Sequence, residues 1–326
     1  MGTIDSEITI ETKTVLELEC KIPKASSECL NNIEQIQSLK CNKKNYSYGI
    51  IAIQPQNLEL YNIIDSFLKN IKKGLYIHNN KSCRKLIHLA SFTICKENLK
   101  FLMLTKKHSY GFYDFIHNKF NSNNNIQINK LLNEMTNTEF NNIINKSYKE
   151  LWKMIHNKQP CPLKYEKTFN KILKNIKSQY YNISKIRYST PEWEFPKGKK
   201  KNESESDLET AIREFIEETN LNINDFVVYD NIKPIIEKYV GTDGLNYSYY
   251  YYIALIKPTV NIVNNSTFET EQIGFYSYDT AFTNIRPYNS ERKQILKCIF
   301  DDIVNCINKK YNITVNKRTM SNNINK

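Results

Sequence analysis

The stretch that decides the fold is residues 192–223, EWEFPKGKKKNESESDLETAIREFIEETNLNI. Ser206 or Asp207 is suited to cap a helix that starts near Leu208. Leu208, Ala211, Ile212 and Phe215 recur at helical spacing and form its buried stripe. Glu214, Glu217 and Glu218 stand at i, i+3 and i+4, which puts all three carboxylates on one face. Like charges at that spacing cost a helix a few tenths of a kcal/mol per pair. Either water and salt offset that repulsion, or a bound divalent cation does, since Mg²⁺ is held by carboxylate oxygens together with substrate phosphates.

Reading outward, the helix belongs to a chain of 326 residues with 46 Lys and Arg against 34 Asp and Glu, a formal net charge of +12. That length suggests two domains, or one domain with a large insertion. The charge favours a polyanionic partner, nucleic acid or a phosphate-rich ligand, but is also compatible with a merely solvated surface. No apolar run approaches the ~18–20 residues that span a bilayer. The acidic N-terminus, MGTIDSEITIETKTVLELEC, lacks the basic and apolar regions of a secretory signal. The eight cysteines are scattered without a CxxC pair, and the five histidines form no HExxH. They read as reduced thiols of a cytosolic-type compartment, with no zinc site expected.

Along the chain, 46–53 (YSYGIIAI) reads as a strand and Leu58, Tyr61, Ile64, Phe67, Leu68 and Ile71 as a helix. Residues 89–94 and 99–105 read as a hairpin turning across 95–98. The period turns helical from Ser109 to Tyr180. The clearest helix there follows Pro162, with Phe169, Ile172, Leu173 and Ile176 on an apolar stripe. Lys164, Lys167, Lys171, Lys174 and Lys177 fill another face, either a solvated surface or a platform for RNA phosphates. Strands return at 232–240 and 247–256, flanking the turn 241–244, and at 275–278; a closing amphipathic helix covers 290–308.

With these elements placed, Gly198, Glu205 and Arg213-Glu214-Phe215-Ile216-Glu217-Glu218-Thr219-Asn220-Leu221 resemble the Nudix box, GX5EX7REUXEEXGU, where U is aliphatic. Seven residues separate Glu205 from Arg213 as the pattern requires, whereas six, not five, separate Gly198 from Glu205. Asn220 replaces the usual Gly, and Asn is the next-best residue for a left-handed helix end. WEFPKGK leading into ESDLETAIREFIEET is similar to the boxes of mRNA-decapping enzymes. Residues 102–120, LMLTKKHSYGFYDFIHNKF, resemble the branch found in large nucleocytoplasmic DNA viruses of the poxvirus and asfarvirus type.

The resemblance implies an α+β Nudix fold, an α/β/α sandwich with a mixed sheet, carrying a mainly helical insertion and an N-terminal accessory region. The expected organisation is an accessory region at 1–88 with a candidate core strand at 46–53, the first part of the core at 89–107, and a helical insertion at 108–182. The catalytic core follows at 183–310 and a flexible tail at 311–326. The implied activity is metal-dependent hydrolysis of the 5′ cap of mRNA, releasing 7-methyl-GDP and 5′-monophosphate RNA. Mg²⁺ or Mn²⁺ would be held by Glu214, Glu217, Glu218, the Gly198 carbonyl and Glu271, with Glu269 the alternative to Glu271. Glu217 or Glu218 would be the base. Arg213 and Glu205 would pair to brace the loop. Lys197, Lys199, Trp193 and Tyr250 are the substrate-binding candidates, and the five lysines of the basic helix the RNA-binding ones. Capped mRNA is the implied partner, and a viral source implies action in the host cytoplasm on host mRNA. Two readings compete: a pyrophosphohydrolase of diphosphoinositol polyphosphates or nucleotides, and an inactive RNA-binding Nudix scaffold.

Overall fold

The computed structural model describes residues 45–71, 95–157, 159–178, 188–241, 245–262 and 269–324, and the side chains of these up to residue 310. The expectations for 1–44 and for a strand at 89–94 lie outside the described residues. The described part is organised around one mixed sheet. Its elements in chain order are β1 (Asn45–Pro55), α1 (Leu58–Lys69), β2 (Leu99–Lys106), five helices α2 (Tyr110–Ile116), α3 (Asn125–Glu134), α4 (Asn137–Asn145), α5 (Tyr148–His156) and α6 (Leu163–Ser178), then β3 (Trp193–Glu194), β4 (Lys197–Gly198) and α7 (Asp207–Thr219). After these come β5 (Phe226–Val228), β6 (Ile235–Val240), β7 (Asn246–Ile256), β8 (Thr270–Ser277), α8 (Tyr278–Asn284) and α9 (Ser290–Ile324).

The centre of the sheet is β1, whose pattern GIIAI is buried on both faces. It runs parallel to β7, with Ile50 opposite Tyr252 and Ile53 opposite Leu255, and antiparallel to β2 and β4. Runs of Ile and Val buried on both sides are what a covered, partly parallel sheet requires. One face packs on α1 and α9 through Ile51, Ile53, Leu60, Ile64, Tyr251, Phe300 and Ile303. The other packs on α7 through Ile50, Ala52, Leu102, Ala211 and Phe215. Helices α2–α6 enclose a separate core of their own, including Phe112, Leu131, Phe140, Trp152, Phe169 and Ile172.

Two details differ from the sequence reading. Residues 95–98 form a helical turn, not the bend of a hairpin, and β2 pairs instead with β1, β3 and β8. α9 continues through Ile324, past the residue at which a flexible tail is expected; its last segment, YNITVNKRTMSNNI, holds no Gly or Pro to stop a helix. The β6–β7 hairpin falls where 232–240 and 247–256 predict it, with Val240 opposite Asn246. None of the described helices is long and apolar enough to cross a membrane.

Candidate active site

The box helix α7 is fixed at both ends. Ser206 is its N-cap, and a reciprocal pair links the Ser206 N–H to Glu209 at 2.8 Å and the Glu209 N–H to Ser206 Oγ at 3.2 Å. At the other end Asn220 adopts a left-handed conformation with φ 56°, and its N–H donates to the Ile216 carbonyl. Ala211 and Phe215 turn inward to the sheet, and Glu218, Glu214 and Glu217 follow along the flank of that stripe, from the sheet outward to solvent. All three line one open cavity of about 590 Å³. Lys197, Gly198 and Lys199 from the preceding loop line it too, as do Ser47, Lys106, Tyr110, Tyr249, Glu269 and Thr270.

The loop before the helix is tied to it by Arg213. Its Nε donates to Glu205 Oε1 at 2.6 Å, and its Nη2 donates to the Lys199 carbonyl at 2.8 Å and to Glu205 Oε2 at 3.1 Å. The hydrogen bond from Arg213 comes first among the causes that hold the Glu205 carboxyl down at about 2. These contacts span 199–205, so the loop is braced even though it is one residue longer than the pattern.

The three box carboxylates occupy different environments. Glu214 accepts from Arg213 Nη1 at 2.7 Å. Glu217 is half exposed and takes Lys201 Nζ at 2.7 Å and Arg213 Nη1 at 3.1 Å; the Lys201 hydrogen bond leads the causes that lower its pKa. Glu218 is buried beside the sheet, where its Oε2 accepts from the Lys197 N–H at 2.8 Å. Burial pushes the Glu218 carboxyl up to about 7 against the pull of Lys106 and Lys197.

Below this face lies a second charged group that the sequence reading did not find. Glu194, on β3, is buried and pairs with Lys197 Nζ at 2.7 Å and Lys106 Nζ at 2.9 Å, while the Tyr110 hydroxyl donates to it and Arg292 stands at 3.9 Å. Burial alone would raise its carboxyl; the two ammonium groups and the guanidinium outweigh that and hold it well below the usual range. Lys106 also stands 3.8 Å from Glu218 Oε1, so it joins the two groups. Lys106 and Lys197 therefore lie in the cavity wall as cations already paid for by one buried acid, with Lys197 Nζ 4.6 Å from the centre of the Tyr249 ring.

Several expected residues are not part of the cavity. Trp193 is a correction: it is buried in the core against Tyr276, with ring centroids 4.5 Å apart, and cannot stack on a substrate. Tyr250 is another. It stacks on Tyr48 at 5.6 Å over the α7 side, while its neighbour Tyr249 lines the cavity. Adjacent strand residues point to opposite faces, so an error of one position changes the face. Glu271 is exposed and outside the lining, whereas Glu269 is within it. The lysines of α6, Lys164, Lys167, Lys171, Lys174 and Lys177, are all exposed on the helical bundle and line no part of this cavity.

The donors suit a hard divalent cation. Carboxylate and carbonyl oxygens are what Mg²⁺ and Mn²⁺ take. Gly198 is packed so closely on the Glu214 carboxylate that a Cβ there would collide with Glu214 Cδ and both oxygens, which brings the Gly198 backbone against the box acids. Among the described residues no three acid, His or Cys side chains converge on a single point; Arg213 and Lys201 hold Glu214 and Glu217 instead.

The chain matches the NUDIX domain model over residues 178–297. It is 28% identical over 300 residues to a "Putative mRNA-decapping protein" of Acanthamoeba polyphaga mimivirus, covering 81% of this chain and 82% of the relative. It is 31% identical over 174 residues to the mRNA-decapping protein g5R of African swine fever virus, covering 49% of this chain and 70% of that protein. Among solved structures, an Ap4A hydrolase of C. elegans in a binary complex matches 33% of this chain and 74% of its own at 19% identity and a TM-score of 0.28. On the box spacing, its strand–loop–helix geometry and these relatives, the chain belongs to the Nudix family of hydrolases, which cut phosphoric anhydride bonds.

Proposed function

We propose that this chain removes the 5′ cap of mRNA, cutting the pyrophosphate to release 7-methyl-GDP and an RNA with a 5′-monophosphate. The observation that carries the reading is the cavity in which Glu214, Glu217, Glu218 and the Gly198 backbone share a wall with Lys106, Lys197 and Lys199. Such a wall offers oxygen donors for a cation beside ammonium groups for phosphate. The relatives named as mRNA-decapping proteins supply the substrate class.

In this reading Glu214, Glu217 and Glu218 hold Mg²⁺ or Mn²⁺, with Glu269 as the further acid. When bound, the metal supplies charge neutralisation of the pyrophosphate and a lowered pKa for water. The chain's own groups do the rest. Lys199 and Lys197 receive phosphate oxygens, and Lys106 sets the charge beside Glu218. Arg213 keeps the loop in register with α7. Glu218 is the acid we assign to hold the attacking water, because it is the most buried of the three and lies against both Lys106 and the Lys197 N–H. The exposed lysines of α6 bind the RNA body by its phosphates, and the viral decapping relatives support action on host message in the host cytoplasm.

The test uses three substrates with the full chain and Mg²⁺ or Mn²⁺: cap-labelled RNA, the same RNA without a cap, and a diphosphoinositol polyphosphate. Release of labelled 7-methyl-GDP from the first is the expected result. Cleavage of the inositol compound alone would replace the reading with a small-molecule pyrophosphohydrolase. RNA binding without cleavage of any substrate would make the chain an RNA-binding scaffold. Changing Lys167, Lys171 and Lys174 to Glu is expected to weaken RNA binding and flatten its salt dependence, since log affinity falls by about 0.7 per neutralised single-strand phosphate for each log unit of salt. An unchanged slope would return α6 to a solvated surface.

A further inference from the structure

A second set of ligand-type side chains stands outside the cavity, inside the helical bundle. His117 follows the last turn of α2 and His156 is the last residue of α5. Their Nε2 atoms face each other at 2.7 Å, with the rings at 79°. His117 Nδ1 lies 2.7 Å from the Tyr113 carbonyl. A carbonyl only accepts, so Nδ1 carries the proton and His117 Nε2 holds a lone pair directed at His156. A ring N–H held by a backbone carbonyl, leaving the other nitrogen free to donate, is the arrangement that orients metal-binding histidines.

The surroundings favour that use. Tyr113 stacks on His117 with centroids 3.9 Å apart, and Trp152 lies 4.2 Å from His156, so both ring planes are walled. Both imidazoles are half-buried and keep an opening to water. Asp114, one turn earlier on α2, adds a negative charge that acts on His117, and it pairs with Lys119 at 3.3 Å.

We propose that His117 and His156 form a binding site for a borderline divalent cation of the Zn²⁺ class, held by two imidazole nitrogens and completed by water. Zn–N bonds of about 2.0–2.1 Å in a tetrahedral shell put two nitrogens about 3.3 Å apart. The Nε2 pair therefore opens by about 0.6 Å from its 2.7 Å separation, a small rotation for two half-exposed rings. His156 moves its proton from Nε2 to Nδ1 through solvent, so both rings stay neutral. Imidazole selects Zn²⁺ over Mg²⁺ and Mn²⁺, the ions suited to the oxygen donors of the active-site cavity, so the two sites differ in metal. The bound ion would clamp the ends of α2 and α5, and α5 packs on the lysine-bearing α6. The partners are 39 residues apart, so no local spacing advertises the site.

The experiment is a Zn²⁺ titration of the full chain in a large excess of Mg²⁺, followed by the imidazole NMR resonances of its five histidines. One equivalent is expected to shift two resonances, those missing in His117→Gln and His156→Gln. Each of these variants should bind Zn²⁺ at least tenfold more weakly, while a chain with Glu214, Glu217 and Glu218 all changed to Gln retains the affinity. No shift of these two resonances in the wild type would leave a hydrogen-bonded histidine pair only and overturn the proposal. Full affinity in both histidine variants, or its loss in the glutamate variant, would do the same. The wild-type spectrum decides even if a variant fails to fold.

Discussion

Two groups of acids meet at Lys106, and they are built in opposite ways. Glu214, Glu217 and Glu218 come from five consecutive residues of one helix and line the cavity, graded from the mostly buried Glu218 to the half-exposed Glu217. Glu194 comes from a two-residue strand, is buried, and collects its partners from β2, β4 and α9: Lys106, Lys197 and Arg292. The first group clusters like charges that Arg213 and Lys201 offset only at Glu214 and Glu217. The second is neutralised within the protein and holds two cations in the cavity wall. The proposed function uses both, because a polyphosphate would meet the positive charge while its metal would meet the negative charge.

The comparison is sharpened first by removing the buried acid. Glu194→Gln leaves Lys106, Lys197 and Arg292 short of a partner, and stability to urea is expected to fall by about 3–5 kcal/mol. A loss under 1 kcal/mol would show that Glu194 is no hub.

A smaller effect comes from Glu192, next to it, which accepts from Tyr288 at 2.6 Å and from Arg286 at 3.0 Å. Burial raises its carboxyl to about 7 from an ordinary 4.5, against the pull of Arg286. A raised acid binds its proton more tightly in the folded state than in the unfolded one. Its contribution to stability is therefore fullest below pH 4.5 and falls as pH rises to about 7, by on the order of 3 kcal/mol in all. In Glu192→Gln the stability–pH curve should flatten over that window. An unaltered slope would assign the pH dependence elsewhere.

The smallest effect tests the box group. Gly198→Ala forces a methyl into the Glu214 carboxylate, and activity should fall by about 10–100-fold with little change in stability. Full activity would mean that the close approach of the loop to α7 has no part in catalysis.

The same contrast explains what the sequence disclosed. The box face and its cap depend on neighbours within one or two turns, so periodicity and residue type placed the face and narrowed the cap to Ser206 or Asp207, while the box pattern marked Asn220 as the left-handed end. The β6–β7 hairpin was legible for the same reason, since its turn joins strands that pair with each other. The pairing of β1 with β7 spans some two hundred residues and carries no local mark. Nor do the partners of Glu194, since Lys106 and Arg292 look like ordinary surface cations until the fold buries them. The aromatic content of YSYYYY was visible but the phase of the strand was not, and it is Tyr249, not Tyr250, that lines the cavity. Glu269 and Glu271 differ in the same way, two residues that only the turn into β8 separates.

The most direct measurement is single-turnover cleavage of cap-labelled RNA by the wild type and by Glu217→Gln and Glu218→Gln, with RNA binding measured alongside. The account predicts 7-methyl-GDP from the wild type and a rate reduced by about 10²–10⁴-fold in Glu218→Gln, with RNA affinity nearly unchanged in both variants. A wild-type rate in Glu218→Gln would contradict it.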